Sequence, residues 1–220
     1  MQSPAATAAA HHEPHSVGFN LAVIAVAVAL LGLGVAYGID AAGRSDREAA
    51  AGAVTRTLGG RELAVPLVWL REDAQRAEGF AKQVELALPV PLGPDRTVRE
   101  IDITLLPRSR VRPSASLLDG VYLHQFMPEQ LSGPLGLIGK PLIARDGFEG
   151  ETVWYDALSA APFVAKCLAP VIEGGPGRCM RTVYLGPGIA AVYNFDEDVL
   201  VNWRRFDADL HPLLKKIGAL

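Results

Sequence analysis

The chain has 220 residues, half of them hydrophobic, with 21 Lys and Arg against 24 Asp and Glu. No Lys or Arg precedes Arg44, and the part from Arg44 onward carries one net negative charge, so it offers no basic stripe for nucleic acid. About 175 residues follow the first 43, enough for one domain with a real core and too few for two.

Residues 1–16 form an Ala-rich tail without apolar period, and the composition predicts disorder. His11, His12 and His15 dot this tail, where solvated side chains are the expectation rather than a metal site. Leu21 to Ile39 is then an uncharged apolar run of 19 residues. As a helix it reaches about 28 Å, close to the roughly 30 Å hydrocarbon thickness of a bilayer. A transmembrane helix is expected over 17–39. A cleaved signal peptide fits less well, because the run exceeds a signal core of about 7–15 residues and no positive charge precedes it. Small residues recur every four positions in the run: Ala25 with Ala29, Gly32 with Ala36, and Gly34 with Gly38. That spacing permits close approach of a second membrane helix.

Arg44, Arg47 and Arg56 flank the span on its C-terminal side and by the positive-inside rule favour a cytoplasmic domain. The cysteines argue the other way. Cys167 and Cys179 are the only two, and Gly174-Gly175-Pro176-Gly177 lies between them. A Gly/Pro turn brings its flanks together, and a disulfide there would persist in an oxidising compartment. We weight the cysteines more heavily and expect the domain outside the cytoplasm.

Ser45 to Glu48 reads as a capping box, so a helical stalk is expected over 40–60, helical to about Leu58 and ended by Gly59-Gly60. From 61 onward the period changes to two. Leu63, Val65, Leu67 and Trp69 alternate, with Pro66 marking an edge or a bulge. Val84, Leu86, Leu88 and Val90 make a second strand, and Val98 to Leu105 a third with Ile101, Ile103 and Leu105 inward. A polar opposite face suits an antiparallel sheet. Leu117 to Phe126 is read as a strand, Leu135 to Ala144 is apolar but of uncertain type, and Thr152 to Tyr155 is a strand after the Asp146-Gly147 turn. Cys179–Leu185 and Ile189–Phe195 bracket a Gly-Pro-Gly hairpin. Trp203, Phe206, Leu210, Leu213, Leu214 and Ile217 predict an amphipathic helix that starts near Asp196–Asp198 and is kinked or divided at Pro212. The fold class expected is α+β, mainly antiparallel β, with one N-terminal transmembrane helix, a β-rich domain over 61–220 and this C-terminal helix.

No catalytic motif stands out, and no cofactor or metal site is expected. His124 would share a strand face with Tyr122 and Phe126; it could be a general base with Ser116 or Ser132 as nucleophile, but no acid is placed to orient it, and a partly buried structural His is the expectation. His211 reads as a surface residue. Arg108, Arg110 and Arg112, fenced by Pro107 and Pro113, could grip a phosphate, a carboxylate or an anionic headgroup. Trp69, Trp154 and Trp203, with Tyr155 and Tyr193, read as core.

The layout of tail, span and one compact domain resembles that of many anchored envelope proteins of bacteria. The resemblance covers layout alone and transfers no active site. The expected role is a single-pass protein of the bacterial inner membrane, its domain in the periplasm. There it would act as a protein-interaction or accessory subunit of a membrane complex, with a partner in or at the membrane and no nucleic acid. The alternatives are an anchored hydrolase or transferase with a dispersed site, or a ligand- or lipid-binding domain using the 108–112 loop.

Overall fold

The computed structural model describes residues 17–50, 52–71, 77–144, 149–170, 172, 174–186 and 188–220. The N-terminal tail with its histidines and the Asp146-Gly147 turn therefore lie outside the described residues. The chain divides into two compact units, residues 1–50 and 51–220.

The first unit holds one helix, α1, which runs unbroken from Val17 to Ala50. Its stretch Leu21–Gly38 is long and apolar enough to cross a membrane, and all of it is exposed. Ser45 sits inside this helix, so the expected capping box opens nothing. The Ala-rich flanks let one helix pass straight through.

The second unit begins with a hairpin where a helical stalk was expected. β1 (Ala53–Leu58) pairs antiparallel with β2 (Arg61–Pro66). Gly59 and Gly60 both hold positive φ, 57° and 83°, so they close a two-residue hairpin turn instead of ending a helix. The sequence carried the signal: Val, Thr and Thr favour strand, and Gly-Gly is a hairpin turn. After β2 a short 3-10 turn, Leu67–Trp69, interrupts the expected alternation. β3 (Gly79–Phe80) adds parallel to β1, giving a three-stranded sheet with β2 and its Pro66 at an edge.

A seven-stranded antiparallel sheet forms the rest. Its strands are β4 (Val84–Leu92), β5 (Thr97–Pro107), β6 (Ile138–Pro141), β7 (Glu151–Tyr155), β8 (Val164–Leu168), β9 (Arg178–Tyr184) and β10 (Ile189–Asp196). Their order is β4-β5-β10-β9-β8-β7-β6. Both edge strands carry proline, β4 Pro89 and Pro91 and β6 Pro141, whereas the interior β5 holds one only as its last residue, Pro107. A residue without an N–H costs least where no neighbouring strand waits for one.

Between β5 and β6 the expected strand Leu117–Phe126 is absent. Ser114–Gly120 is a helix, α2, and Tyr122–His124 a 3-10 turn. Leu118 and Tyr122 stand four residues apart and both enter one small cluster with Val153 and Val164, which is a helical spacing rather than a strand's. The main core lies on the other side of these strands. There β4 and β5 present Leu86, Leu88, Ile101, Ile103 and Leu105, all essentially without exposure.

The chain returns through a 3-10 turn, Glu197–Asn202, to helix α3 (Trp203–Lys216). The helix starts later than expected, and it continues through Pro212 rather than dividing there. Phe206, Leu210, Leu214 and Ile217 form its buried stripe. Phe206 packs edge-on to Tyr193 and against Phe195, with ring centroids 5.5 and 4.8 Å away. At the helix end the Ala64 N–H donates to the Ile217 carbonyl at 3.1 Å, tying α3 to the small sheet.

Candidate functional site

Cys167 and Cys179 face each other in register on β8 and β9 and form a disulfide. Both are buried in the main core. Backbone hydrogen bonds fix which residues of β9 face which neighbour. Leu185 N–H donates to the Ile189 carbonyl at 3.1 Å, so odd-numbered residues of β9 bond toward β10. Even-numbered residues then bond toward β8. The bridge therefore joins a pair that exchanges no backbone hydrogen bonds, the arrangement in which side chains stand closest.

The β8–β9 ladder runs only from Leu168↔Arg178 to Lys166↔Met180. Beyond it the two strands part, and side chains fill in for the missing backbone. The Thr182 N–H donates to the Ser114 hydroxyl of α2 at 2.8 Å. The Arg181 guanidinium donates from Nη1 to the Val164 carbonyl at 3.3 Å and from Nη2 to Asp207 of α3 at 2.7 Å. The Arg181 side chain is 8% exposed and that of Asp207 44%, so the pair sits at a rim rather than deep inside. The Phe163 ring lies under the guanidinium at 4.4 Å.

This parting leaves a cavity of about 490 Å³. Its walls come from the start of α2 (Pro113, Ala115), the approach to β8 (Ala161, Pro162), and β9 with Val183 and Leu185. Arg181, Thr182, Tyr184, Tyr193, Asp207 and His211 supply its polar side chains. Tyr193 is buried, and no hydrogen bond joins its hydroxyl to another described residue. Burial, assisted by the Asp207 carboxylate and opposed by the Arg181 charge, pushes that hydroxyl well above its ordinary value near 10. It therefore keeps its proton at physiological pH and serves as a donor.

A second cleft, of about 390 Å³, is filled by its own counter-charges. Asp102 accepts from Arg71 and from Arg178, Arg71 also pairs with Glu100 at 2.6 Å, and Arg99 pairs with Asp198 at 2.9 Å. Arg178 donates to Asp196 at 2.6 Å, and this bond above all holds its guanidinium more firmly protonated than usual. Lys166 pairs with the buried Glu151 at 2.5 Å on the neighbouring strand.

The other residues singled out in the sequence are dispersed. Arg108 stacks on the Tyr184 ring at 3.9 Å, and Arg110 donates to the Lys82 carbonyl at 3.3 Å; Arg112 is exposed. Two of the three guanidinium groups of that loop thus already have partners within the domain. His124 is exposed on a 3-10 turn rather than on a strand, and Ser116 and Ser132 are exposed as well. Trp69 and Trp154 are core residues, and Trp203 packs on Phe163 while donating to the Leu135 carbonyl at 3.2 Å. Along α1, a turn of about 100° per residue puts Ala25, Ala29, Gly32 and Ala36 on one face. Gly34 and Gly38 fall on the opposite one. A Cβ built on Gly32, Gly34 or Gly38 meets nothing within 4 Å. No group of three or more His, Cys, Asp or Glu side chains suited to a metal ion occurs among the described residues.

The sequence reading missed Arg181, Tyr193 and Asp207 as a group. They lie on three elements, and only the topology brings them to one cavity. β8 itself was missed, although Val164-Ala165-Lys166-Cys167-Leu168 after Pro162 has a strand's composition.

The chain matches no protein-family model, no curated protein and no solved structure. What defines its class is therefore its own architecture: one helix fit to span a membrane and an antiparallel β-rich domain stapled by a disulfide.

Proposed function

We propose that this chain is a single-pass protein of a bacterial inner membrane whose β-rich domain lies in the periplasm. There it acts as an interaction or accessory subunit of a membrane complex. The observation that carries the reading is the buried Cys167–Cys179 bridge in a domain that follows an exposed apolar helix. A closed bridge in a packed core suits an oxidising compartment, which outweighs the arginines flanking the span. The small-residue faces of α1 are offered to a second membrane helix, the Ala25/Ala29/Gly32/Ala36 face being the longer.

Topology mapping tests the compartment. Reporter fusions after Leu220 are expected to be active only outside the cytoplasm. A maleimide reagent is expected to label Cys167 and Cys179 only after reduction. Free thiols in the unreduced protein, together with a cytoplasmic C-terminal reporter, would overturn the reading. Exchanging Ala25–Gly38 for a generic Leu/Ala span is expected to release membrane partners that co-purify with the native chain.

A further inference from the structure

We infer that the end of the domain carrying Lys82, Arg108, Arg110 and Arg112, with Phe80 beside it, is a surface that rests on an anionic bilayer, its cations among the headgroups and its ring below them. The inference rests on α1 as a membrane anchor and adds a second contact with the same bilayer.

Two segments meet at this end. The Arg110 guanidinium donates from Nη1 to the Lys82 carbonyl at 3.3 Å, which brings the 108–112 loop against the stretch that follows β3. The loop itself is seated on the large sheet. The Arg108 N–H donates to the Gly188 carbonyl at 2.9 Å, and the Tyr184 hydroxyl donates to the Val111 carbonyl at 3.1 Å. Arg110 and Arg112 are exposed on either side of the half-buried Val111, and Lys82 and Arg108 are exposed as well.

The charge balance of this end differs from that of the sheet face described above. Arg71, Arg99, Lys166, Arg178 and Arg181 each meet a carboxylate. Lys82, Arg108, Arg110 and Arg112 meet none among the described residues. The Tyr184 ring under Arg108 and the Lys82 carbonyl before Arg110 are neutral partners, so they orient the guanidinium groups and leave their charge unanswered. The acids along these two segments are Glu78 and Glu85, and Glu85 accepts from Gln83 at 2.6 Å. Four positive charges therefore stand against two negative ones.

Such a cluster attracts an anionic surface, at short range and in proportion to how little salt screens it. Phe80 indicates which surface. It is 91% exposed and stands two residues before Lys82. A bare ring gains nothing from a soluble phosphate, whereas it gains from the acyl boundary beneath a layer of headgroups. Helix α1 supplies that occupant. Only residues 39–52 separate its apolar stretch from β1, so a bilayer stays within reach of the domain in any orientation. The contact is then intramolecular, and a weak attraction per side chain suffices.

The experiment uses the full chain reconstituted into lipid nanodiscs, of phosphatidylcholine alone or with about 30% phosphatidylglycerol. Hydrogen exchange over 80–83 and 108–112 is expected to be about threefold slower in the anionic discs, and salt at about 0.5 M is expected to erase the difference. Arg110→Glu with Arg112→Glu is expected to erase it at low salt, with the melting temperature unchanged. Arg112→Glu alone changes an exposed side chain and is expected to reduce the difference; it serves if the pair loses its fold. Phe80→Trp reports on the ring. Brominated acyl chains are expected to quench its added emission in the anionic discs and not in the neutral ones, against the background of the native tryptophans. Equal exchange in the two discs overturns the inference, as does a difference that survives the charge reversal or the salt. Protection by millimolar inorganic phosphate in neutral discs marks a site for a soluble anion and also overturns it. Slowed exchange without quenching at position 80 marks headgroup contact without the ring, which overturns the surface as stated. A chain that enters neither disc overturns the anchor itself, a separate failure that the inference would share. None of these outcomes bears on the compartment, which the thiol and reporter measurements decide.

Discussion

The two long helices of this chain are both rich in apolar residues, yet they solve different problems. α3 confines its large apolar side chains to one stripe, and Phe206, Leu210, Leu214 and Ile217 disappear against the sheet. Its other face carries Arg204, Arg205, His211 and Lys215, all exposed. α1 has no such division between Leu21 and Gly38, and every side chain described there is exposed. A stripe asks for a protein surface, whereas a helix apolar all round asks for an apolar solvent. The contrast therefore separates a helix that builds the domain from one that holds it at a membrane.

The sharpest way to break that contrast is to make α1 polar. Val26→Lys with Leu30→Lys places two charges near the middle of the apolar stretch, each costing about 3 kcal/mol on insertion. The double variant is expected to leave the membrane fraction on alkaline carbonate extraction, while the native chain stays. Retention of the variant would show that α1 is not the anchor. The corresponding change in α3 attacks the domain instead. Phe206→Ala removes a fully buried ring that touches Tyr193 and Phe195. A loss of about 3–5 kcal/mol is expected in denaturant unfolding, with membrane attachment unchanged.

The same contrast explains how much could be read from the sequence. Patterns of fixed period were legible: Val84 to Val90, Ile101 to Leu105, the α3 stripe and the apolar run of α1 all lie where expected. Cys167 and Cys179 were legible because a turn lies between them. The errors fell where two periods compete over few residues. Ala53–Leu58 has too few large apolar side chains to declare a strand, and Gly59-Gly60 serves equally as helix stop and hairpin turn. Leu117, Leu118, Val121 and Tyr122 satisfy a strand run and a helical face alike until Val153 and Val164 appear beneath them. The cavity was not legible at all. It exists because β8 pairs with β9 only at Leu168, Cys167 and Lys166, leaving Val164 and Ala165 outside the ladder, and that is a property of the assembled sheet.

Between the helices, the disulfide tests how far the domain depends on its compartment. Opening Cys167–Cys179 frees a short loop that the chain-entropy model values at about 3 kcal/mol. The double variant Cys167→Ser with Cys179→Ser is expected to lose about that much. Most of the loss should come from the oxidised reference, so reduced native protein and the double variant should unfold at similar denaturant concentrations. A bridge that changes stability by less than about 1 kcal/mol would remove its weight as an argument for location.

The smallest expected effect concerns Tyr193, where α3 meets the sheet. Its hydroxyl titrates above the ordinary tyrosine value because burial disfavours the phenolate, with Asp207 adding to the shift and Arg181 reducing it. The raised value means that the folded state holds this proton where the unfolded chain has released it. Below about pH 10 both states are protonated and the group leaves stability unchanged. Above it the unfolded state binds fewer protons, so stability falls as pH rises, by at most about 1.4 kcal/mol per pH unit for one group. Tyr193→Phe removes the ionising oxygen and keeps the ring against Phe206. It is expected to lessen the alkaline loss of stability, leaving the part that the buried Tyr122 contributes in the same direction, and to keep the neutral plateau within about 1 kcal/mol, because the Tyr193 hydroxyl makes no hydrogen bond to another described residue. Absorbance of the phenolate at high pH reads the same event directly. A Tyr193 that ionises near the ordinary tyrosine value would show that water reaches its hydroxyl from the α3 side of the cavity. The interior of α3's stripe would then end at Phe206 and not reach the strand behind it.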